Sequence, residues 1–392
     1  MVMSMTRRVT VRATVATATA LAAALVPVFL FGALSEQIRR DIAFDKAAIG
    51  IAVSVFFVLA AAGAPVGGWV TQRLGPRRSM LLGVALASTA SLGIGLVATS
   101  WWSIVALLAL AGATVGLIDT GAAQTFTDVV PTRRQGLAFG IKEGSIPAAS
   151  MLAGGAVPVL ALTAGWRSAF VATALLAPVV SAVLLPRESA PRPGQQRASE
   201  NRARPSLRLR LLLAVGAGAG AGAATATATY MVPAVTNAGL SPGAAGTLLA
   251  SGSACGIATR LLVGWRADQQ HPAPQLPTAA ILLAIGAFGP ILLAQTHPAA
   301  VAAGGLLTLG IGWGWPGLIY LVAVRADPTA PAAAAGTVLA GLSMGAATGP
   351  VLFGLAAAAT DYSWAWVATT AVLTLGATAC TAAHHTKMKH GR

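Results

Sequence analysis

The chain has 392 residues, of which 56% are hydrophobic and only 9% charged. A soluble protein of this length needs far more charge to cover its surface, so soluble multi-domain readings are excluded. The net charge of +15 is scattered over many short segments rather than gathered in one groove, which excludes nucleic acid as a partner and leaves the lipid bilayer as the expected surroundings.

Twelve apolar stretches follow, each close to the ~20 residues a helix needs to cross a bilayer. They are predicted at 13–34, 47–70, 79–99, 103–126, 136–162, 168–185, 211–235, 243–264, 277–295, 299–323, 334–359 and 363–382, an all-α membrane protein. Arg7, Arg8 and Arg12 ahead of the first span read as a topology anchor rather than a cleavable leader. Between the sixth and seventh spans, PRESAPRPGQQRASENRARPSLRLR is rich in Arg and Pro with almost nothing to bury, which predicts a flexible joining loop. The chain thus divides into an N-terminal six-helix bundle over 1–185, a basic linker over 186–210 and a C-terminal six-helix bundle over 211–392.

Of the 26 Lys and Arg, all but Arg39, Arg40, Lys46, Arg167 and Lys142 fall in the N-terminus, the even-numbered loops or the C-terminus. That bias puts both termini and the linker in the cytoplasm. Trp101, Trp102, Trp166, Trp364 and Trp366 then lie at the outer boundary, where indoles settle. Cys255 and Cys380 are expected as small core residues, and His384 and His385 lack metal-ligand spacing, so neither a metal nor another cofactor is expected. The chain has no Gly-x-x-x-x-Gly-Lys-[Ser/Thr] segment and no clustering of His, Asp and Glu at one membrane face. It therefore reads as neither an ATPase nor a membrane enzyme.

The halves echo each other. Gly68-Trp69-Val70-Thr71-Gln72 after the second span matches Gly264-Trp265-Arg266-Ala267-Asp268 after the eighth, 196 residues later. The same spacing relates Ala47-Ala48-Ile49-Gly50 to Gly243-Ala244-Ala245-Gly246, and Val115-Gly116 with Gly121 to Ile311-Gly312 with Gly317. Val26-Pro27 and Val232-Pro233 are related at 206 residues, which places ten extra residues in the loop after the first span. A duplicated six-helix membrane unit is mostly a transporter architecture.

Gly68, Gln72, Arg73, Gly75, Arg77 and Arg78 together resemble the loop signature of the major facilitator superfamily. That signature runs Gly, three residues, Asp, Arg or Lys, one residue, Gly and a basic run, between the second and third helices. Gly264 and Asp268 form a weaker second copy, and the Gly165-Trp166-Arg167-Ser168-Ala169-Phe170 turn is similar to one in bacterial members. The resemblance covers essentially the whole chain. It implies two pseudo-symmetric six-helix bundles that rock about a midplane site in a bacterial inner or plasma membrane, and it links this loop to a conformational latch. Two departures stand out: Gln72 replaces the acidic residue, and Asp268 lacks the basic residue after it. Gly68 is expected to let helices approach closely, and Arg73, Arg77 and Arg78 to anchor the loop at an anionic surface. Drug/proton antiporters of the family often carry a Gly-Pro-rich fifth span; here GLAFGIKEGSIPAASMLAGG has Gly144 and Pro147 but no adjacent Gly-Pro.

Charges within a bilayer cost roughly 2.5–3.5 kcal/mol each on insertion scales. Asp119 in the fourth span, and Lys142 and Glu143 in the fifth, are therefore the leading functional candidates. Taken from the predicted cytoplasmic ends, Asp119 lies about 16 Å deep and Lys142 about 9 Å at ~1.5 Å per residue, within reach of a pair. Gly136, Gly140 and Gly144 recur every four residues and predict a close-packing seam. Lys142 points away from that seam, and Glu143 lies at its edge. Asp119 or Glu143 is the expected proton carrier, and Lys142 binds an anionic group or neutralises Asp119.

The repeat sets Trp315 where Asp119 sits in the first half. Trp313 and Trp315 are candidates to stack on an organic solute, or else they pack the bundle. The resemblance implies that the first and seventh helices line the cavity, which makes Thr19, Thr225 and Tyr230 candidate substrate contacts. The alternative is that the Thr hydroxyls bond their own helix backbone. Arg260, one turn before Gly264, is expected to meet a gate or to snorkel to the interface. The function expected is secondary active transport of a small organic solute, anionic or amphiphilic, by a proton-coupled monomer of undetermined direction. A drug or metabolite efflux antiporter is the alternative; a transporter-like sensor would need a larger soluble segment than the linker and tails provide.

Overall fold

The structure, a computed structural model, describes residues 2–129, 135–184, 206–269, 274–327 and 331–390. Most of the basic linker, 186–205, and the side chains of Arg7, Arg8 and Arg12 lie outside the described residues. The first six long helices are α1 (Val2–Ala33), α2 (Lys46–Leu74), α3 (Pro76–Leu96), α4 (Trp101–Val129), α5 (Gln135–Ala164) and α6 (Trp166–Leu184). The second six are α7 (Leu207–Asn237), α8 (Pro242–Gln269), α9 (Gln275–Leu293), α10 (Pro298–Ala326), α11 (Pro331–Ala359) and α12 (Tyr362–His390). Eleven have the length and apolar character to cross a membrane, and α6, with 19 residues, completes the set. No strand occurs among the described residues. The chain is thus an all-α membrane protein, as its sequence indicates.

Helix ends overrun the apolar spans. α2 continues to Leu74 and α12 to His390, because the backbone ladder persists where apolar side chains give way to polar ones. α7 begins at Leu207, four residues inside the expected linker, and the Ser206 hydroxyl caps it by accepting from the Leu209 N–H at 3.4 Å.

Two helices are broken. α5 runs as Gln135–Glu143, turns at Gly144, resumes over Ser145–Ala156 and passes through a π-turn at Val157–Ala161. α10 runs as Pro298–Gly305, widens into a π-turn over Leu306–Ile311, loses helical form over 312–315 and resumes at Pro316. Prolines at 147, 158 and 316 remove N–H groups from these ladders.

Helix pairing follows the repeat. α1 packs on α5, α2 on α4 and α3 on α6; in the second half α7 packs on α11, α8 on α10 and α9 on α12. The halves meet along α2–α11 and α5–α8, which are the same seam under the repeat. Apolar burial gives little drive between helices in lipid, so small residues and direct backbone contact decide the pairs. α2 meets α4 through Gly67 on Gly116 and Gly63 on Ala113. Gly68, expected to be the close contact, faces open space; one residue earlier, Gly67 lies about 100° around the helix and takes that role. Along α7, Gly216, Gly218, Gly220 and Gly222 turn by about 200° per step. They therefore meet different neighbours in turn: Cys380 of α12, Gly341 of α11, Trp315 of α10 and Gly345 of α11.

The expected glycine seam of α5 exists against α8, with Gly136 on Gly264, Gly140 on the Arg260 carbonyl and Gly154 on Gly246. Gly144 is not part of it, since its nearest neighbours are carbonyls of its own helix and it forms the turn that breaks α5. Cys380 is buried as expected, whereas Cys255 is exposed; both are free thiols.

Candidate functional site

Near the break in α5, four charged side chains gather. Lys142 Nζ lies 2.9 Å from Asp119 Oδ1 and 3.6 Å from Glu143 Oε1. Both α4 and α5 are helical here, so the pair links two helices of the first half that are consecutive in the chain. Lys142 and Asp119 keep 14% and 23% of their side-chain surface, whereas Glu143 keeps 6%. The second half closes over the pair. Tyr320 of α10 stacks on Phe139 of α5 at 5.8 Å, with planes 6° apart, and the Lys142 ammonium sits 5.7 Å from the Tyr320 ring. Tyr320 was not marked in the sequence, because nothing in α10 alone shows which face meets α5.

Arg260 completes the group from α8 and is 1% exposed, so it does not snorkel. Its guanidinium lies 5.1 Å from the Trp313 ring, and it donates to the Trp313 and Glu143 main-chain carbonyls. The dense glycine packing of α5 and α8 at this level excludes the path to the surface that snorkelling needs.

The remaining candidates lie apart from this group. Trp315 is fully buried and packs against Gly220 in the core of the second half, its indole N–H without a partner. Thr19 and Thr225 donate to the carbonyls of Val15 and Ala221, in their own helices, at 2.9 and 2.7 Å. Tyr230 stands at the far end of the bundle, where its hydroxyl donates to the Lys46 carbonyl at 2.7 Å and its ring stacks on Phe353 at 4.7 Å. The Lys46 ammonium lies over the Tyr362 ring at 4.5 Å, and Gly50 packs on the Pro350 carbonyl. These contacts close the far end between α2, α7, α11 and α12.

The loop after α2 turns at Gly75, whose φ of 81° is a region glycine adopts without strain. Arg73 stacks on the Trp69 ring at 4.1 Å. Gln72 and Arg78 are exposed, and Arg77 is half-buried. Beneath the loop, Thr71 donates to Ser79 at 2.8 Å and Ser79 donates to the Leu117 carbonyl at 2.9 Å, which ties α2 and α3 to α4 beside Asp119. The second copy of the loop joins the two halves directly. Asp268 accepts from the Gly136 and Leu137 N–H groups at 2.8 and 2.9 Å, a carboxylate of one half capping the first turn of α5 in the other.

The profile of the Major Facilitator Superfamily matches residues 15–338, and the chain belongs to that family. Its fold is similar to that of a bacterial homologue of the human lysosomal transporter Spinster, solved inward-facing and occupied. The TM-score is 0.76 at 17% identity, covering 96% of this chain and 97% of that one. An inward-facing, unoccupied structure described in the same terms gives 0.76 at 16% identity, covering 97% and 98%. A comparison with curated proteins gives no significant match. The chain is therefore a multi-pass membrane transporter built for alternating access.

Proposed function

We propose that the chain is a proton-coupled secondary transporter of a small organic solute in a bacterial inner or plasma membrane. The observation that carries this is the Lys142 ammonium held between Asp119 at 2.9 Å and Glu143 at 3.6 Å, at the junction of the two halves. Two carboxylates competing for one ammonium make an arrangement in which adding or removing a proton changes which pair forms. Lys142 freed from Asp119 offers a cation to an anionic solute, and Phe139, Tyr320 and Trp313 supply aromatic surface for its organic part.

In this reading, residues 1–185 and 211–392 move as two bundles joined by the linker 186–210, with both termini cytoplasmic and the monomer as the working unit. Asp268 serves as the latch that the first copy of the loop lost at Gln72. The test is transport into proteoliposomes of whichever compound the chain redistributes in cells. An imposed pH gradient should drive its accumulation, and Asp119→Asn should abolish accumulation while leaving exchange across equal pH. Accumulation indifferent to the gradient would remove proton coupling from the reading.

A further inference from the structure

Arg260 has no carboxylate partner within 4.0 Å among the described residues. Its donors go to main chain instead. Nε donates to the Trp313 carbonyl at 2.8 Å, Nη1 donates to the Glu143 carbonyl, and Nη2 is buried with no partner. Breaks in two helices leave these carbonyls in need of donors. Pro147 has no N–H to return to Glu143 four residues before it. Trp313 lies in the non-helical stretch 312–315 ahead of Pro316. One guanidinium therefore bridges the break in α5, in the first half, and the break in α10, in the second. A buried cation spent on backbone carbonyls is a costly way to satisfy two acceptors. What an arginine adds is a rigid planar fork that fixes the two carbonyls relative to each other.

We infer that Arg260 is a positioning residue of the transport cycle. It bolts the α5 break to the α10 break and so fixes where Lys142 and Glu143 stand while the α5–α8 seam is closed. The role needs only that the two halves separate and rejoin; it holds whether or not protons are coupled.

Ser150 and Ser253 face each other across this seam, both fully buried, with hydroxyls 3.1 Å apart. With Cys255 and Cys380 replaced by Ser and Ala, the pair Ser150→Cys and Ser253→Cys reports seam closure through its rate of copper-catalysed disulfide formation in lipid nanodiscs. No transported compound is required. Arg260→Lys keeps the charge but does not span both carbonyls, and it should slow crosslinking by about tenfold, the scale of one lost charge-assisted contact. Arg260→Met combined with Pro147→Ala returns an N–H to the Glu143 carbonyl. This variant should purify as a folded, monodisperse protein and still crosslink slowly. Crosslinking at the parent rate in Arg260→Lys would reduce Arg260 to a charge. The parent rate in the double variant would reduce it to a donor for one carbonyl. Either result overturns the inference.

Discussion

At the scale of single residues, the Asp119–Lys142 pair is the interaction whose loss should be felt most. Asp119→Asn leaves Lys142 with Glu143 alone, and Lys142→Met leaves both carboxylates without their ammonium; a fully stranded and fully buried charge costs about 3–5 kcal/mol. Because Asp119 keeps 23% of its side-chain surface, Asp119→Asn or Lys142→Met alone should cost about half that. Asp119→Asn combined with Lys142→Met should recover only part of the thermal stability lost in Lys142→Met, because Glu143 is left without its ammonium, and should not restore gradient-driven transport. A double variant that transports like the parent would make the pair structural only. Tyr230→Phe removes one hydrogen bond to the Lys46 carbonyl and should lower stability by about 1 kcal/mol, read as a fall in melting temperature in detergent. The charged residues were legible in the sequence because charge in an apolar span is conspicuous. Their partners Tyr320 and Arg260 were less so, since their roles depend on which faces of α8 and α10 meet α5.

At the scale of elements, the glycines separate into those that carry a helix contact and those that do not. Gly345 lies against the backbone of Gly218, with no room for a side chain, whereas a Cβ at Gly68 meets nothing within 4 Å. Gly345→Val should therefore prevent recovery of monodisperse protein. Gly68→Ala should be tolerated and should gain up to about 1 kcal/mol of helix propensity. The same logic applies to the two loop copies. Asp268→Ala strips the first turn of α5 of its acceptor, at a cost of about 1 kcal/mol. It should raise maleimide labelling of a cysteine placed at Val263, on the seam, by several-fold. Gln72→Ala, at an exposed side chain, should leave that labelling unchanged. Twelve helices were readable from hydropathy, but the break at Gly144 was not. Glycines at 136, 140 and 144 look alike in a period of four, and only the missing N–H of Pro147 signals that the ladder fails between them.

At the scale of the whole molecule, the repeat in the sequence becomes a repeat of contacts, with α2–α11 and α5–α8 as one seam used twice. The two ends of the molecule are closed by different chemistry. Tyr230, Lys46 and the aromatic rings around them seal the far end, and Asp268 on the α5 amides joins the halves at the other. In the proposed cycle, a molecule that alternates between these closures carries its solute past the Asp119–Lys142–Glu143 group where the halves meet. The most direct test is a paired profile of metabolites inside and outside cells lacking the protein, cells overproducing it and cells overproducing Asp119→Asn. At least one small organic compound should shift its inside-to-outside ratio with the parent protein and return to the deletion value with Asp119→Asn. Identical ratios in all three strains, with the protein present in the membrane, would contradict it.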